Sequence, residues 1–550
     1  MKRWRLVWVM LFLASALWAA PGDIIPLQDD LYDQMDRLFL LVGTAGPSTA
    51  RPWSMVEAEH EFLRLDEQEI PGEVKPLYEK VARRFQQATS EFQLGLTIAP
   101  ELYVHQNTDF TTDSMWVYGW TRRKPFASLF LRVSVGGFSL STGLEYGWGR
   151  VTYKDDLVRL DSLASPWVGI GALVPASDGS ILTVGNSYVY QQQIVGNFPN
   201  VTMLEIDTPR RTTFSFALPY LAISVSRDQI SWGTSHIGNF IFDAHVDRAD
   251  YLRLSVFGNQ VGMTFVLMPL DMDYSNANSV DSTVPTRLFL AHRLDWKPVR
   301  WFSFALSENI MYCTDQVKLQ YLNPAFIYHN LNASDVFNAI AHLELEVVPV
   351  AGWKLFTQFC LDQAKAITEN EKQPTSWGLS GGVRHAARWG NGVMTASLEG
   401  AYTTPWLYRR QNVDFLIFHR YATNVNYKKI PLFTYLGFPY GGDAIVGEAD
   451  LSWKSFEGWE ISLKGLYLVH GEVSLFSAHN DRGNQYAPNK SADKTPTGDP
   501  WYAGYGEIGA SYPFEKKWGT MRFRTDLAVV SYQGMWDVQG MVGGEIQFRT

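Results

Sequence analysis

At 550 residues the chain has the length of three or four soluble domains, but only 19% of its residues are charged while 14% are aromatic, with 20 Trp, 26 Tyr and 32 Phe. That aromatic content is too high for a disordered chain. With 47 Lys and Arg against 56 Asp and Glu the net charge is −9, which excludes a protein built to neutralise nucleic-acid phosphates, and two cysteines, Cys313 and Cys360, are too few for a disulfide framework or a four-thiolate metal site.

Residues 1–20 read as a secretory signal peptide. Lys2, Arg3 and Arg5 precede an apolar stretch that ends in Ala19 and Ala20, and Pro21-Gly22 follows at once. No cysteine stands there to take a lipid, so the mature chain is expected to be exported and unlipidated. Beyond this stretch no run reaches the roughly 18 apolar residues of a membrane helix. An exported, aromatic-rich chain is then either a large secreted β-protein or an outer-membrane barrel.

Residues 21–90 carry apolar side chains at helical spacing and are expected to form a small periplasmic helical bundle. Leu31, Met35, Leu38 and Phe39 make one stripe behind Asp29 or Asp30 as N-cap. Ser54 and Glu57 have the spacing of a capping box ahead of an apolar face made by Val56, Leu63 and Leu65. Leu77, Tyr78, Val81 and Phe85 mark a third helix.

From residue 91 to 550 the period becomes two. Trp353, Leu355, Thr357, Phe359 and Leu361 alternate with Lys354, Phe356, Gln358, Cys360 and Asp362, and the stretches 459–470 and 521–529 repeat the pattern of one apolar and one polar face. Three features favour a membrane barrel over a sandwich. Runs such as 300–313, 353–365 and 517–531 exceed soluble strand length. Tight turns at 296–300, 349–352, 454–458 and 513–517 alternate with long polar loops. Trp296, Trp301, Trp353, Trp453, Trp459 and Trp518 flank those turns, where an interfacial girdle belongs. If the tight turns are periplasmic, strands 338–349, 377–388, 412–420, 444–455, 501–513 and 536–548 all run inward. About 25 residues per strand and connection then gives an all-β transmembrane barrel of about 18 antiparallel strands.

The stretches PLQDDLYDQMDRLFLLVGTAGPSTARPWS, LPYLAISVSRDQISWG, AHRLDWKPVRWFSFALSENIMY with YLNPAFIYHN, and YLGFPYGGDA together resemble the capsule-assembly Wzi family over most of the mature chain. The resemblance implies an outer-membrane barrel preceded by a small periplasmic helical bundle. It also implies a non-enzymatic surface lectin that helps attach exported capsular or exopolysaccharide.

The residues supply candidates for that chemistry. Sugar rings need aromatic faces, and acidic polymers need guanidinium groups. Trp406, Tyr408, Arg409 and Arg410 lie in one loop expected on the outside, and Phe438, Tyr440 and Asp443 lie in another. Arg293 with Asp295, Lys354 with Asp362, and Arg522 with Arg524 and Asp526 read as a polar network inside the lumen; His292 and Glu308 are grouped with it. Gly378-Leu379-Ser380-Gly381-Gly382 matches a hydrolase elbow but lies in a strand, so no catalytic residue is assigned. His342 and His385 lack companions at metal-ligand spacing, and neither metal nor cofactor is expected. The expected partners are outer-membrane lipid, surface polysaccharide and a periplasmic or export-machinery protein, with the barrel monomeric. The competing reading is a porin or solute channel, which shares the strands but needs an open lumen.

Overall fold

The computed structural model describes residues 22–86, 91–106, 117, 124–148, 170–175, 181–184, 204–270, 286–314, 319–323, 325, 327, 336–363, 375–409, 413–423, 429–474, 494–516 and 518–549. Alternation of apolar and polar residues builds a closed antiparallel barrel from nineteen hydrogen-bonded segments. These make eighteen strands, because Phe92–Ile98 and Glu101–His105 are halves of one strand that both pair with Met535–Arg549. That pairing, with Leu96 opposite Phe548 and Val104 opposite Gly540, closes the ring between the first strand and the last.

The strand 412–420 expected in the barrel is not one of the eighteen. Leu416–Thr423 instead pairs with Lys429–Tyr435 in a separate four-stranded sheet that includes Ile170–Pro175 and Ile181–Val184. The wall passes directly from Gly392–Thr403 to Ala444–Ser455. Short apolar runs carry no mark that separates a wall strand from a strand in a loop.

Tight turns join the strands at one end, as between Val350 and Trp353 and between Lys516 and Gly519. Trp296, Trp301, Trp353, Trp389, Trp459 and Trp518 stand exposed around that end, and Leu355, Leu398, Ile461, Leu463, Ile508 and Leu527 form the exposed outer wall above them. No helix among the described residues is long and apolar enough to cross a membrane.

Three helices precede the barrel. Helix α1 (Asp30–Val42) is capped by Asp29, whose carboxylate accepts from the Leu31 N–H at 2.9 Å, and ends at Gly43 in the left-handed conformation that glycine adopts without strain. Its stripe of Leu31, Met35, Leu38 and Phe39 is fully buried. Helix α2 (Met55–Phe62) opens on the capping box of Ser54 and Glu57. It stops before Leu63, which is exposed, while Leu65 packs inside. Helix α3 (Lys75–Gln86) buries Leu77 and Val81, and Tyr78 and Phe85 flank the Phe62 ring. The apolar cluster of all three helices includes the wall residues Val348, Ala386 and Val393, so the helices are seated in the tight-turn end of the barrel.

Candidate functional site in the barrel lumen

Beyond the apolar contacts at Val348, Ala386 and Val393, the inward-facing side chains that meet the N-terminal segment are polar. Arg253 donates to both Glu57 carboxylate oxygens at 2.9 and 2.7 Å, and the Ser255 hydroxyl adds a bond of 2.6 Å. The Thr49 hydroxyl donates to Glu344 at 2.6 Å, and Arg293 bridges Glu344 at 2.5 Å and Asp295 at 2.9 Å. Lys297 reaches Glu61, and the Gly46 N–H reaches Glu346 at 2.5 Å. Burial works to raise the Glu57 and Glu61 carboxyls, but the cations beside them outweigh it. Arg253 holds Glu57 below the usual range, and Lys297 with Arg64 holds Glu61 at about 2.

A second segment enters from the opposite end. Residues 229–248 follow the short strand Leu221–Asp228 and fold into the barrel, where Ser231–Trp232 pairs antiparallel with Ala50–Arg51. The N-terminal chain and this loop therefore touch inside the lumen. Trp232, Phe240, Ile241 and Phe242 are completely buried there, packed with Phe289 and Met311 of the wall. The three consecutive apolar residues Phe240, Ile241 and Phe242 inside a loop are the sequence signal for this element.

The expected glycan contacts gather in the same layer. Trp406, Tyr408, Arg409, Phe438, Tyr440 and Asp443 are all buried; Arg410 lies outside the described residues. Tyr408 donates its hydroxyl to the Phe240 carbonyl at 2.6 Å, accepts the Phe438 N–H at 3.1 Å, and presents its own N–H to Asp362 at 2.7 Å. Asp443 accepts the Val473 and Thr497 N–H groups, each at 3.0 Å. Both Tyr408 and Asp443 hold positive φ, 73° and 61°, a conformation kept by the contacts around them. As placed, these six side chains pack the loops against one another and turn no ring face outward.

Aromatic faces that stay partly open lie instead on the inner wall. Trp501 stacks on His470 with centroids 5.1 Å apart, Tyr505 follows on the same face with the Glu507 carboxylate beyond it, and Tyr532 lies 5.9 Å from Trp501. Strand periodicity could have placed this set on the inner face, since Trp501, Tyr505 and Glu507 share parity.

The expected lumen network is partly redrawn. Arg524 pairs with Asp526 at 2.7 Å, and Arg522 extends to Asp30 of α1 at 3.6 Å. Lys354 and Asp362 are not partners: eight residues of one strand separate them by about 26 Å, and Lys354 binds Glu346 at 3.3 Å. His292 and Glu308 pair at 3.3 Å but on the outer face, in register with the exposed Leu294, Trp296 and Leu306, whereas Arg293 and Asp295 point inward. Ser380 lies mid-strand in Ser376–Trp389. Among the described residues no group of three metal-ligating side chains converges.

No family model and no curated protein matches the chain. Among solved structures it is similar to Wzi, an outer-membrane protein involved in group 1 capsule assembly in Escherichia coli, with a TM-score of 0.56 and 12% identity over 96% of this chain and 99% of that one. The fold is that of an outer-membrane barrel. Acinetobacter baumannii OccAB4 matches at a TM-score of 0.40 and 9% identity, covering 84% of this chain and 99% of that one. Pseudomonas aeruginosa OprD matches at 0.37 and 10%, covering 84% and 94%.

Proposed function

We propose that this barrel is a non-enzymatic binder of cell-surface polysaccharide, and that it helps to attach or assemble that polymer on the outer membrane. The observation that carries the reading is the pairing of Ala50–Arg51 with Ser231–Trp232: chain entering from each end of the barrel meets within it, so the lumen serves to hold loops in place more readily than to pass solute. The solved barrel of similar fold is described as carbohydrate binding, which supports the same choice. In this reading the tight turns and three helices face the periplasm, where a periplasmic or export-machinery protein is the partner, and residues 1–20 are removed on export. Polymer reaches the loop end, where Trp501, Tyr505 and Tyr532 offer rings beside Glu507. The competing reading, a solute channel, has the charged lumen wall in its favour.

A glycan array probed with the full chain in detergent tests the proposal, with Trp501→Ala as control. Binding of acidic or neutral polysaccharide that weakens in Trp501→Ala is the expected result. Large stable conductance in planar bilayers with no glycan bound would transfer the assignment to the channel.

A further inference from the structure

A cavity of about 320 Å³ lies inside the barrel between α1, the inward loop at His236 and the wall strands that carry Lys354, Arg384, Ser397 and Asp450. That volume is at the lower end of the range of small-molecule sites, roughly 300–1,000 Å³. Its charge is almost wholly balanced. On the helix side Asp29 is paired with Arg84 at 2.8 Å, Asp33 with Arg37 at 2.7 Å and Asp36 with Arg51 at 2.7 Å, and Lys454 serves Asp30 at 3.4 Å. On the wall side Lys354 is held by Glu346 and Arg384 by Glu399.

One lining carboxylate is left over. Asp450 has neither a hydrogen bond nor an ion pair among the described residues, although Lys464 stands directly opposite it on the next strand. The Lys464 ammonium is turned instead to Glu448, at 2.8 Å. Across the other edge Asp450 faces Ser397, whose side chain is nine-tenths buried, lines the cavity and also has no hydrogen-bond partner among the described residues. One rung along the same face, Glu399 pairs with Glu448, and His236 presents Nδ1 to both at 3.7 and 3.9 Å. The His236 ring lines the cavity, and a neutral imidazole carries one nitrogen able to accept a hydrogen bond.

A carboxylate with no hydrogen bond or ion pair of its own, near Lys464, Arg384 and Arg37 but bound by none of them, stands with a free hydroxyl and an imidazole in a set that accepts hydrogen-bond donors and has room for one positive charge. We infer that this chamber binds a small organic molecule bearing a primary ammonium group, with Asp450 as its counter-ion and Ser397 as hydrogen-bond partner. A compact ammonium has three donors to divide among Asp450, Ser397 and His236, while the paired arginines attract a free anion into the same space only weakly, since each is already neutralised. The inference is independent of the polysaccharide reading, because it concerns a cavity beside α1 and not the aromatic set at Trp501.

The test is calorimetric titration of the full chain in detergent near neutral pH with glucosamine, using glucose as the neutral twin. Saturable glucosamine binding at least about tenfold tighter than glucose is expected. Asp450→Asn should erase that difference, and Ser397→Ala should weaken glucosamine while keeping the preference. Equal binding of both sugars, no saturable heat from either, or a preference that survives Asp450→Asn would overturn the inference. If Asp450→Asn does not assemble a heat-modifiable barrel, unchanged glucosamine affinity in Ser397→Ala overturns it equally.

Discussion

Arg253, on the inner wall, and Glu57, at the start of α2, form a two-pronged ion pair with both side chains almost fully out of solvent. The same Glu57 closes the capping box with Ser54, so one carboxylate both starts the helix and fixes it to the barrel. Removing one member leaves the other buried and uncompensated, which costs about 3–5 kcal/mol. Arg253→Met is therefore expected to release α2 from the wall at neutral pH, read as loss of amide-exchange protection over residues 55–62 while the barrel strands stay protected.

Acid should loosen the same segment. Glu61 is held at about 2 by Lys297 and Arg64 against a usual value of 4.5. A depressed carboxyl contributes stability that is complete above the unfolded value and is lost as pH falls through the folded one. Pepsin cleavage within residues 55–86 should accordingly rise as pH is lowered from about 4.5 to about 2. Glu61→Gln should be cleaved readily across the whole window; a wild-type rate with the same pH profile in that variant would refute the assignment.

The His292–Glu308 pair on the outer face makes a different prediction. Its neighbours in register are apolar, so a carboxylate deprived of its imidazole there is disfavoured, by up to about 2 kcal/mol. His292→Leu should lower stability in vesicles. The double variant with Glu308→Leu should return to the wild-type value or exceed it, because a matched apolar pair removes both desolvation costs. Denaturant titration of the four proteins in a double-mutant cycle measures the coupling.

Tyr408→Phe isolates one hydroxyl that ties residues 404–409 to Phe240 and Phe438. Its loss leaves a buried N–H and a buried carbonyl without this partner, a cost of about 1–3 kcal/mol. Faster amide exchange at Phe438 is expected, with the barrel itself intact.

The barrel was legible because strand period and turn length are local properties. Trp353–Gln363 displays its two faces in the sequence, and the girdle tryptophans sit beside the turns they mark. The capping box at Ser54 was legible for the same reason. The lumen was not, because its contacts join residues far apart in the chain: Arg293 meets Thr49, and Arg37 meets Ser452. Parity assigns a face only when its origin is known, and for His292 the charge itself suggested the wrong one. The loop aromatics show the same limit of local reading. Trp406 and Tyr408 have the composition of a sugar platform, yet both are buried, and Tyr408 is packed against Phe415 and bonded to the Phe240 carbonyl, contacts that composition does not reveal.

The ring shuts where Leu96 meets Phe548, near opposite termini of the polypeptide. Ala50, already knitted to Trp232, lies within that ring. The seam that joins the first wall strand to the last therefore encircles a contact between the N-terminal segment and the loop at 229–248. A chain that began after residue 51 would keep the inward loop but lose the strand that Ser231–Trp232 pairs with, and that bridge between the N-terminal segment and the loop would be gone.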